Sequence, residues 1–229
     1  MVKPSDPKTG EKGVIELTEV DVPEIGPGEV LIEIAGCGVC HTDLGYFYDG
    51  VPTVVPAPLT LGHEISGTVI AGEAEWIGRE VIVPAVMPCN QCDICKSGRG
   101  NRCLAQKMPG NSIGIYGGFS SHIPVPAHDL CVVENRGDIP LERLAIVADA
   151  VTTPYQAAMR AHVKEGDVAL VIGLGGVGGF AAQIASAFGA TVIGFDVNPQ
   201  RLEMLEGHGL DLGIDPAEAE PRALKKQVI

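Results

Sequence analysis

Residues 168–178 read Val-Ala-Leu-Val-Ile-Gly-Leu-Gly-Gly-Val-Gly, so that an apolar run passes directly into a glycine-rich turn. A fully apolar run of this kind is typical of a central strand in a parallel sheet. The turn has the spacing G-x-G-x-x-G; a helical pattern follows it, and a second apolar run, residues 191–195, ends on Asp196. That acid stands 18 residues after Gly178, close to the roughly 20 that dinucleotide-binding folds have. Strand, glycine turn, helix, strand and acid in this order predict a dinucleotide-binding α/β domain.

The glycine turn also predicts where the dinucleotide is held. Backbone N–H groups at the start of the helix can bind a pyrophosphate. Asp196 can accept hydrogen bonds from both hydroxyls of the adenosine ribose, and its charge would repel a 2′-phosphate, which favours NAD over NADP. The predicted cofactor-binding residues of the turn are Gly173, Gly175, Gly176, Val177 and Gly178.

Only one half of such a domain is found in this sequence. A dinucleotide-binding domain normally has two βαβαβ halves. After a helix predicted at residues 199–207 and a short strand at 210–214, a further helix begins near Ala217 and the sequence stops at Ile229. We therefore expect residues 151–229 to form a partial NAD-binding domain, and the complete protein to be longer.

Residues 1–150 have a different pattern, with short apolar runs separated by glycine and proline turns. This pattern predicts a β-barrel or β-sandwich, because short strands joined by frequent turns are typical of all-β domains. Helices are expected at residues 141–148 and 152–162. The predicted strands are residues 14–22, 30–34, 65–71, 80–83, 120–125 and 130–133.

A compact group of cysteines, Cys89-x2-Cys92-x2-Cys95-x7-Cys103, predicts a metal site. Four thiolates so close together can enclose one tetrahedral Zn²⁺ and leave no open position for a substrate, so we expect a structural site. An iron–sulfur site uses similar cysteine runs and remains an alternative, although zinc is favoured because the last gap is seven residues and no proline follows Cys103.

A second candidate metal site begins in the stretch Gly36-Cys-Gly-Val-Cys-His-Thr-Asp43. Cys40 in this stretch and His63 in Gly62-His63-Glu64 supply the sulfur and nitrogen ligands that Zn²⁺ prefers. The alternative is an ordinary buried cysteine and a histidine in a turn.

Composition excludes several classes of protein. The net charge of −13 argues against nonspecific binding of nucleic acid, which needs a basic surface. The most apolar run, residues 168–182, is shorter than a membrane span, and the polar N-terminus is unlike a signal peptide. Seven cysteines therefore point to metal or catalysis, and we expect a cytoplasmic protein without a membrane or nucleic-acid partner.

These motifs together resemble those of the zinc-dependent medium-chain alcohol dehydrogenases over essentially the whole chain. The resemblance rests on residues 38–43, residues 62–64, the four cysteines and the glycine turn with Asp196. It implies a GroES-like β-barrel catalytic domain at residues 1–150, followed by an α/β Rossmann domain at 151–229 of which only the first half is present. It also implies two zinc ions per chain, NAD as cofactor, a small-molecule alcohol as substrate, and a homo-oligomer at full length.

The resemblance implies a role for each polar residue of the catalytic motifs. A departure from the family is Gly45, which stands where many relatives have a histidine that passes the substrate proton to solvent. For Asp149 a helix cap ahead of Thr152 is the alternative to metal ligation. The implied roles are catalytic zinc ligation for Cys40, His63 and Asp149, occasional ligation for Glu64, orientation of His63 by Asp43, proton transfer by Thr42, contact with the pyrophosphate for His41 and with the adenosine ribose for Arg201.

Two segments narrow the resemblance further. Residues 45–50 and 110–122 are similar to those of family members that oxidise a cyclic hydroxyacyl-CoA thioester in the anaerobic degradation of aromatic compounds. A CoA thioester is thus one candidate substrate, with Arg99, Arg102 and Lys107 as candidate phosphate contacts or as ordinary surface charges. Another secondary alcohol or a polyol is the alternative, and so is an inactive zinc-binding fragment.

Overall fold

The structure is a computed structural model that describes residues 1–218. Most of the helix predicted to begin near Ala217 lies outside the described residues. The chain divides into two compact units, of which the first is Met1–Asp149 and the second begins at Ala150. In the described residues no helix is both long enough and apolar enough to span a membrane.

The first unit is built on a five-stranded antiparallel sheet. Its strands have the spatial order β4-β1-β2-β3-β5, and every neighbouring pair is antiparallel. Valine and isoleucine dominate these strands, since branched side chains pack well on a pleated surface. The strands are β1 (Glu29–Gly38), β2 (Glu64–Ala71), β3 (Glu80–Val83), β4 (His122–Pro126) and β5 (Cys131–Val132).

The core of this unit lies on one face of the sheet. Side chains that alternate along β1, β2 and β3 meet there, and β4 adds two more. The fully buried members include Val30, Ile32, Ile65, Val69, Val81, Val83, Ile123 and Val125.

Short helices connect the strands of the first unit. Helix α1 (His41–Tyr48) follows β1, and α2 (Asp93–Lys96) lies among the four cysteines. The helix predicted at residues 141–148 is present as a 3-10 helix, Leu141–Ala148. Two shorter 3-10 helices are Gly100–Arg102 and Ala127–Asp129.

The strand predicted at residues 14–22 was wrong. Of residues 14–22, all of which the structure describes, only Val14 makes a bridge, to Lys3, and Leu17 is fully exposed. An alternating apolar pattern forms a strand only where a partner supplies the hydrogen bonds of the ladder, and the described part of the chain supplies none for residues 15–22.

The second unit contains a parallel three-stranded sheet covered by helices. Its strands have the order β6-β7-β8. Alanines of α4 let this helix lie close to the sheet, where Ala182, Ala185 and Val192 are buried with Leu174 and Leu205. The elements are α3 (Thr152–Ala161), β6 (Val168–Ile172), α4 (Gly176–Ala187), β7 (Thr191–Phe195), α5 (Pro199–Leu205) and β8 (Leu212–Ile214).

Among the described residues strand β6 lies at an edge of its sheet and pairs only with β7, whereas the sequence predicted a central strand. Val168, Leu170 and Ile172 alternate along one face of the strand and are exposed, Ile172 by 87%. Ala169 and Val171, on the opposite face, pack against the core.

Candidate metal centres and dinucleotide site

Cys40, His63, Glu64 and Asp149 come together in the first unit. Each offers one ligand atom, and these four atoms lie within 4.8 Å of one another. His63 Nε2 is 3.6 Å and Cys40 Sγ is 3.9 Å from Asp149 Oδ2. Ligand atoms around a tetrahedral Zn²⁺ are roughly 3.5 Å apart, given metal bonds of about 2.0 Å to nitrogen and 2.3 Å to sulfur. The separations fit such an ion.

Three segments carry these side chains to one place. Cys40 directly precedes α1, and His63 directly precedes β2, which pairs with β1 through Gly38 and Glu64. Asp149 follows the 3-10 helix Leu141–Ala148, 109 residues along the chain from Cys40.

The buried carboxylate of Asp43 links the first two segments. Asp43 Oδ2 accepts a hydrogen bond from the Cys40 N–H at 3.0 Å, and Oδ1 accepts one from the Gly62 N–H at 3.0 Å. Asp43 Oδ1 also lies 3.4 Å from His63 Nδ1. Gly62 has a φ of +97°, which only glycine adopts without strain. One side chain therefore fixes the backbone at both ligand positions and faces the imidazole.

His63 is 1% exposed, and neither of its ring nitrogens makes a hydrogen bond of normal length, although Nδ1 lies 3.4 Å from Asp43 Oδ1 and Nε2 lies 3.6 Å from Asp149 Oδ2. Burial lowers the pKa of the imidazole, but the carboxylates of Asp149 and Asp43 outweigh burial and raise the pKa to about 10. A buried nitrogen without a partner is costly unless something binds it. A cation between Nε2, Asp149 and Cys40 would satisfy this nitrogen, so the donor set fits Zn²⁺ on chemical grounds as well.

The neighbours of this cluster take different positions. Glu64 is buried beside it, and a Cβ at Gly38 would overlap the Glu64 carboxylate, so a side chain at position 38 would displace that carboxylate. Thr42 Oγ1 lies 3.6 Å from Cys40 Sγ. His41 is exposed, and its predicted contact with the pyrophosphate stays a prediction. The close approach of Gly38 to Glu64 was not predicted, although a glycine two residues before a candidate ligand was a signal for it.

The four cysteines of residues 89–103 form a second cluster, here called the cysteine lobe. Their sulfur atoms are 3.4–3.9 Å apart along the four closest pairs. Sulfur atoms bound tetrahedrally to Zn²⁺ at about 2.3 Å would be roughly 3.8 Å apart. Backbone N–H groups of Gln91 and Cys92 lower the pKa of the Cys89 thiol to about 6, which favours the thiolate that binds a metal, whereas burial and the neighbouring thiols raise the pKa of Cys95 to about 12. The lobe therefore fits a closed tetrahedral site.

The residues proposed for CoA contact lie on or next to the cysteine lobe. Arg99, Arg102 and Lys107 are all exposed, and the Arg99 side chain donates a hydrogen bond to Ser97 Oγ at 3.1 Å. Their geometry is that of surface charges.

The glycine turn of the second unit has the backbone that a dinucleotide site needs. Gly173 has a φ of +85°, and a Cβ at Gly178 would overlap the carbonyl oxygen of Gly173. Gly175 caps α4, and a Cβ at Gly176 would meet nothing within 4 Å. Gly178 thus permits close packing inside the turn, whereas Gly176 faces open space where a ligand can approach; Val177 is exposed beside it.

Asp196 is buried at the end of β7 and is already engaged by the chain. It accepts hydrogen bonds from the N–H groups of Asn198 and Leu174 at 2.8 and 2.6 Å, and Arg201 Nη1 lies 3.3 Å from Oδ2. The Asn198 and Leu174 N–H groups, with Arg201, hold the pKa of this carboxyl below its usual range. A carboxylate has about four acceptor positions, so roughly one is left for a ribose hydroxyl.

A cleft of about 330 Å³ adjoins the turn. It lies between α4 and α5, and Arg201 reaches into it from α5. Its lining includes Leu174, Gly175, Gly176, Phe180, Arg201 and Met204.

Comparison with known protein families supports both halves of this description. The profile of the alcohol dehydrogenase GroES-like domain matches residues 26–135, and the profile of the zinc-binding dehydrogenases matches residues 176–228. An alcohol dehydrogenase of Geobacillus stearothermophilus is 31% identical over 223 residues, a match that covers 95% of this chain and 65% of that protein.

Solved structures give the same result. Galactitol-1-phosphate dehydrogenase from Escherichia coli has a TM-score of 0.84 at 26% identity, covering 95% of this chain and 62% of that one. Acetophenone reductase from Geotrichum candidum, solved in complex with NAD, has a TM-score of 0.79 at 32% identity and covers 90% of this chain and 62% of that one. The chain therefore spans less than two thirds of the length of these three proteins.

The predicted fold class, a GroES-like barrel domain followed by a partial Rossmann domain, is confirmed by these matches. The chain belongs to the zinc-type medium-chain alcohol dehydrogenase family.

Proposed function

We propose that the protein is a zinc-dependent alcohol dehydrogenase that oxidises a secondary alcohol with NAD⁺. The observation that carries this proposal is that Cys40 and Asp149 converge on the buried imidazole of His63, whose ring nitrogens make no hydrogen bond of normal length. The cysteine lobe would hold a second, structural zinc.

In this mechanism Cys40, His63 and Asp149 would hold the catalytic ion, and Glu64 is near enough to replace one of them. Zn²⁺, when bound with an open position, supplies a Lewis acid that lowers the pKa of an alcohol. NAD⁺, when bound, supplies the hydride acceptor. Asp43 keeps the His63 ring oriented through Nδ1, so that Nε2 is presented to the ion.

Thr42 is the proposed acceptor of the substrate proton. Its hydroxyl is 3.6 Å from Cys40 Sγ, within the reach of a substrate held beside that ligand. Gly45 has no side chain to continue the relay, so we expect water to take the proton onward.

The dinucleotide would be held by the second unit. N–H groups at the start of α4 would bind the pyrophosphate, and Asp196 with Arg201 would bind the adenosine ribose. The buried negative charge of Asp196 supports NAD rather than NADP, because a 2′-phosphate would be repelled.

A narrower proposal concerns the substrate, for which we propose 6-hydroxycyclohex-1-ene-1-carbonyl-CoA, oxidised to the 6-oxo compound in anaerobic benzoyl-CoA degradation. It is supported by the two segments that resemble such enzymes, residues 45–50 and 110–122, which contact each other: Asn111 Nδ2 donates a hydrogen bond to the buried Tyr46 hydroxyl at 2.6 Å. Two resembling segments that are far apart in sequence thus meet in one packed cluster.

The alternatives are a dehydrogenase of another secondary alcohol or of a polyol, and an inactive zinc-binding fragment. A panel of hydroxyacyl-CoA thioesters, polyols and simple alcohols, each assayed with NAD⁺ for the formation of NADH, separates the substrates. Calorimetric titration with NAD⁺ tests the fragment, which would not bind it. A cytoplasmic location and a homo-oligomer at full length stay predictions.

The direct test of the activity is Cys40→Ala. The variant should lose turnover while the cysteine lobe keeps its zinc, because the two clusters share no residue. Turnover that survives in Cys40→Ala would overturn the proposed function.

A further inference from the structure

The candidate catalytic cluster depends on the placement of Asp149, which is carried by a different part of the fold from Cys40 and His63. Those two residues flank the paired strands β1 and β2 and are joined by Asp43. Asp149 instead lies at the end of the 3-10 helix Leu141–Ala148, so its position depends on how that helix is attached to the sheet.

Ser66 of β2 makes this attachment. The residue is fully buried, and its hydroxyl donates a hydrogen bond to the carbonyl oxygen of Leu141 at 2.7 Å. The bond joins the first residue of the helix to β2 only two positions after Glu64. The bond gives the buried hydroxyl of Ser66 an acceptor.

Gly36 of β1 forms the other side of the same contact. Gly36 and Ser66 are direct cross-strand partners in the β1–β2 register. A Cβ at Gly36 would overlap the carbonyl oxygen of Glu142, the second residue of the helix. The first turn of the helix therefore packs on this pair. Gly36 of β1 leaves room for its backbone, and Ser66 of β2 donates a hydrogen bond to it.

The rest of the helix follows from this first turn. Leu141, Ala145 and Ala148 are its buried residues, and their spacing turns one face of the helix to the sheet. Apart from Leu141 this face carries only alanines, which have little apolar area to bury. A directional bond at its first residue supplies what the alanines do not.

We propose that Ser66 and Gly36 form a seat that positions Asp149 for metal binding. Ser66 acts through the 3-10 helix and is a positioning residue rather than a catalytic one. This inference rests on the proposed metal site but not on the identity of the alcohol or on hydride transfer.

The test compares metal binding at the two clusters in Ser66→Ala. The purified chain is loaded with Co²⁺, whose absorption differs between a site with one thiolate and a site with four, and is titrated with a chelator. Loss of a buried hydrogen bond that leaves the Leu141 carbonyl unsatisfied should weaken binding at the Cys40 cluster by roughly tenfold. Affinity at the cysteine lobe should not change.

Ser120→Ala is the control for the loss of a serine hydroxyl at an exposed position of the same unit. The Ser120 hydroxyl lies 2.8 Å from the carbonyl oxygens of Gly117 and of His122, outside the helix that precedes Asp149. It should leave both metal affinities unchanged. Ser66→Cys, which keeps the size and a weak donor, should restore part of the affinity and is used in place of Ser66→Ala if that variant does not fold.

The outcomes separate positioning from simple structural support. Weaker binding at the Cys40 cluster alone supports the proposal. Equal weakening at both clusters, or a lower free energy of unfolding with unchanged metal affinities, overturns it. A wild-type chain that binds metal only in the lobe overturns the proposed function itself, whereas two metals in wild type and no effect of Ser66→Ala overturns this inference alone.

Discussion

Asp43 Oδ1 lies 3.4 Å from His63 Nδ1, while the other oxygen of the same carboxylate accepts a hydrogen bond from the Cys40 N–H. One buried acid therefore touches the two proposed ligands that are nearest in sequence. Such an acid fixes the ring orientation of a metal-binding histidine and raises its basicity.

Asp43→Asn should weaken metal binding at the Cys40 cluster. An amide can still accept one backbone hydrogen bond. It carries no negative charge, however, so it cannot raise the basicity of His63 or balance the positive charge of the ion. We expect a loss of affinity of about 10- to 100-fold, measured by chelator competition. Unchanged affinity would show that Asp43 only shapes the loop.

Asn90→Gly should loosen the cysteine lobe. Asn90 follows Cys89 with a φ of +55°, and its amide donates to Asp129 Oδ1 at 2.9 Å. Glycine keeps this backbone conformation and removes only the bond, so zinc should leave the lobe several-fold faster, at a cost of about 1 kcal/mol. Asn90→Ala should be worse by roughly a further 1 kcal/mol, since alanine disfavours a positive φ. Release rates that do not follow the order wild type, glycine, alanine would contradict this explanation.

Gly178→Ala should lower the stability of the fold, whereas Gly176→Ala should weaken the binding of NAD⁺ and leave the stability unchanged. A Cβ at position 178 overlaps the Gly173 carbonyl and should destabilise the second unit by about 3 kcal/mol. A Cβ at position 176 meets nothing in the chain, so the fold should be unaffected, but the added methyl group would stand at the first residue of α4, beside the N–H groups proposed to bind the pyrophosphate. Thermal unfolding and NAD⁺ titration of both variants check this pair. A Gly176→Ala chain that binds NAD⁺ like the wild type would place the pyrophosphate elsewhere.

Asp196→Asn should change the pH dependence of stability. Backbone N–H groups lower the folded-state pKa of Asp196 below its unfolded value, so the carboxylate stabilises the fold above the unfolded pKa of about 4, and this contribution is lost as the pH falls through the lower folded value. The variant should therefore be less stable than the wild type near neutral pH, and the difference should shrink in acid. Urea unfolding at several pH values measures it; a difference that stays constant with pH would refute the assignment.

Local patterns predicted those parts of the fold that neighbouring residues determine. The order of strand, glycine turn and helix at residues 168–187 is a local signal, and the structure has β6, the turn and α4 there. The same pattern did not indicate that β6 lies at an edge of the described sheet, because a local apolar run carries no information on which strands pair with it. Residues 15–22 illustrate the same point, since their apolar side chains meet no partner strand in the described part of the chain.

The residues of the candidate site differ in how far the sequence alone predicted them. Cys40 and His63 are typical ligand types in glycine-bounded turns, whereas Asp149 entered only through resemblance to a family, because a carboxylate 109 residues from Cys40 has no local signature. Ser66 was not predicted at all. A single serine in a strand can lie on either face of a sheet. Its role becomes visible only in the structure, where the Leu141 carbonyl oxygen accepts its hydrogen bond.

The zinc content of the purified chain, measured by elemental analysis for the wild type and for Cys40→Ala, tests the two proposed metal sites most directly. We expect two zinc ions per chain in the wild type and one in the variant, with the remaining ion in the cysteine lobe. A wild type with a single zinc, or a variant that still holds two, would contradict the claim that Cys40, His63 and Asp149 share one metal ion.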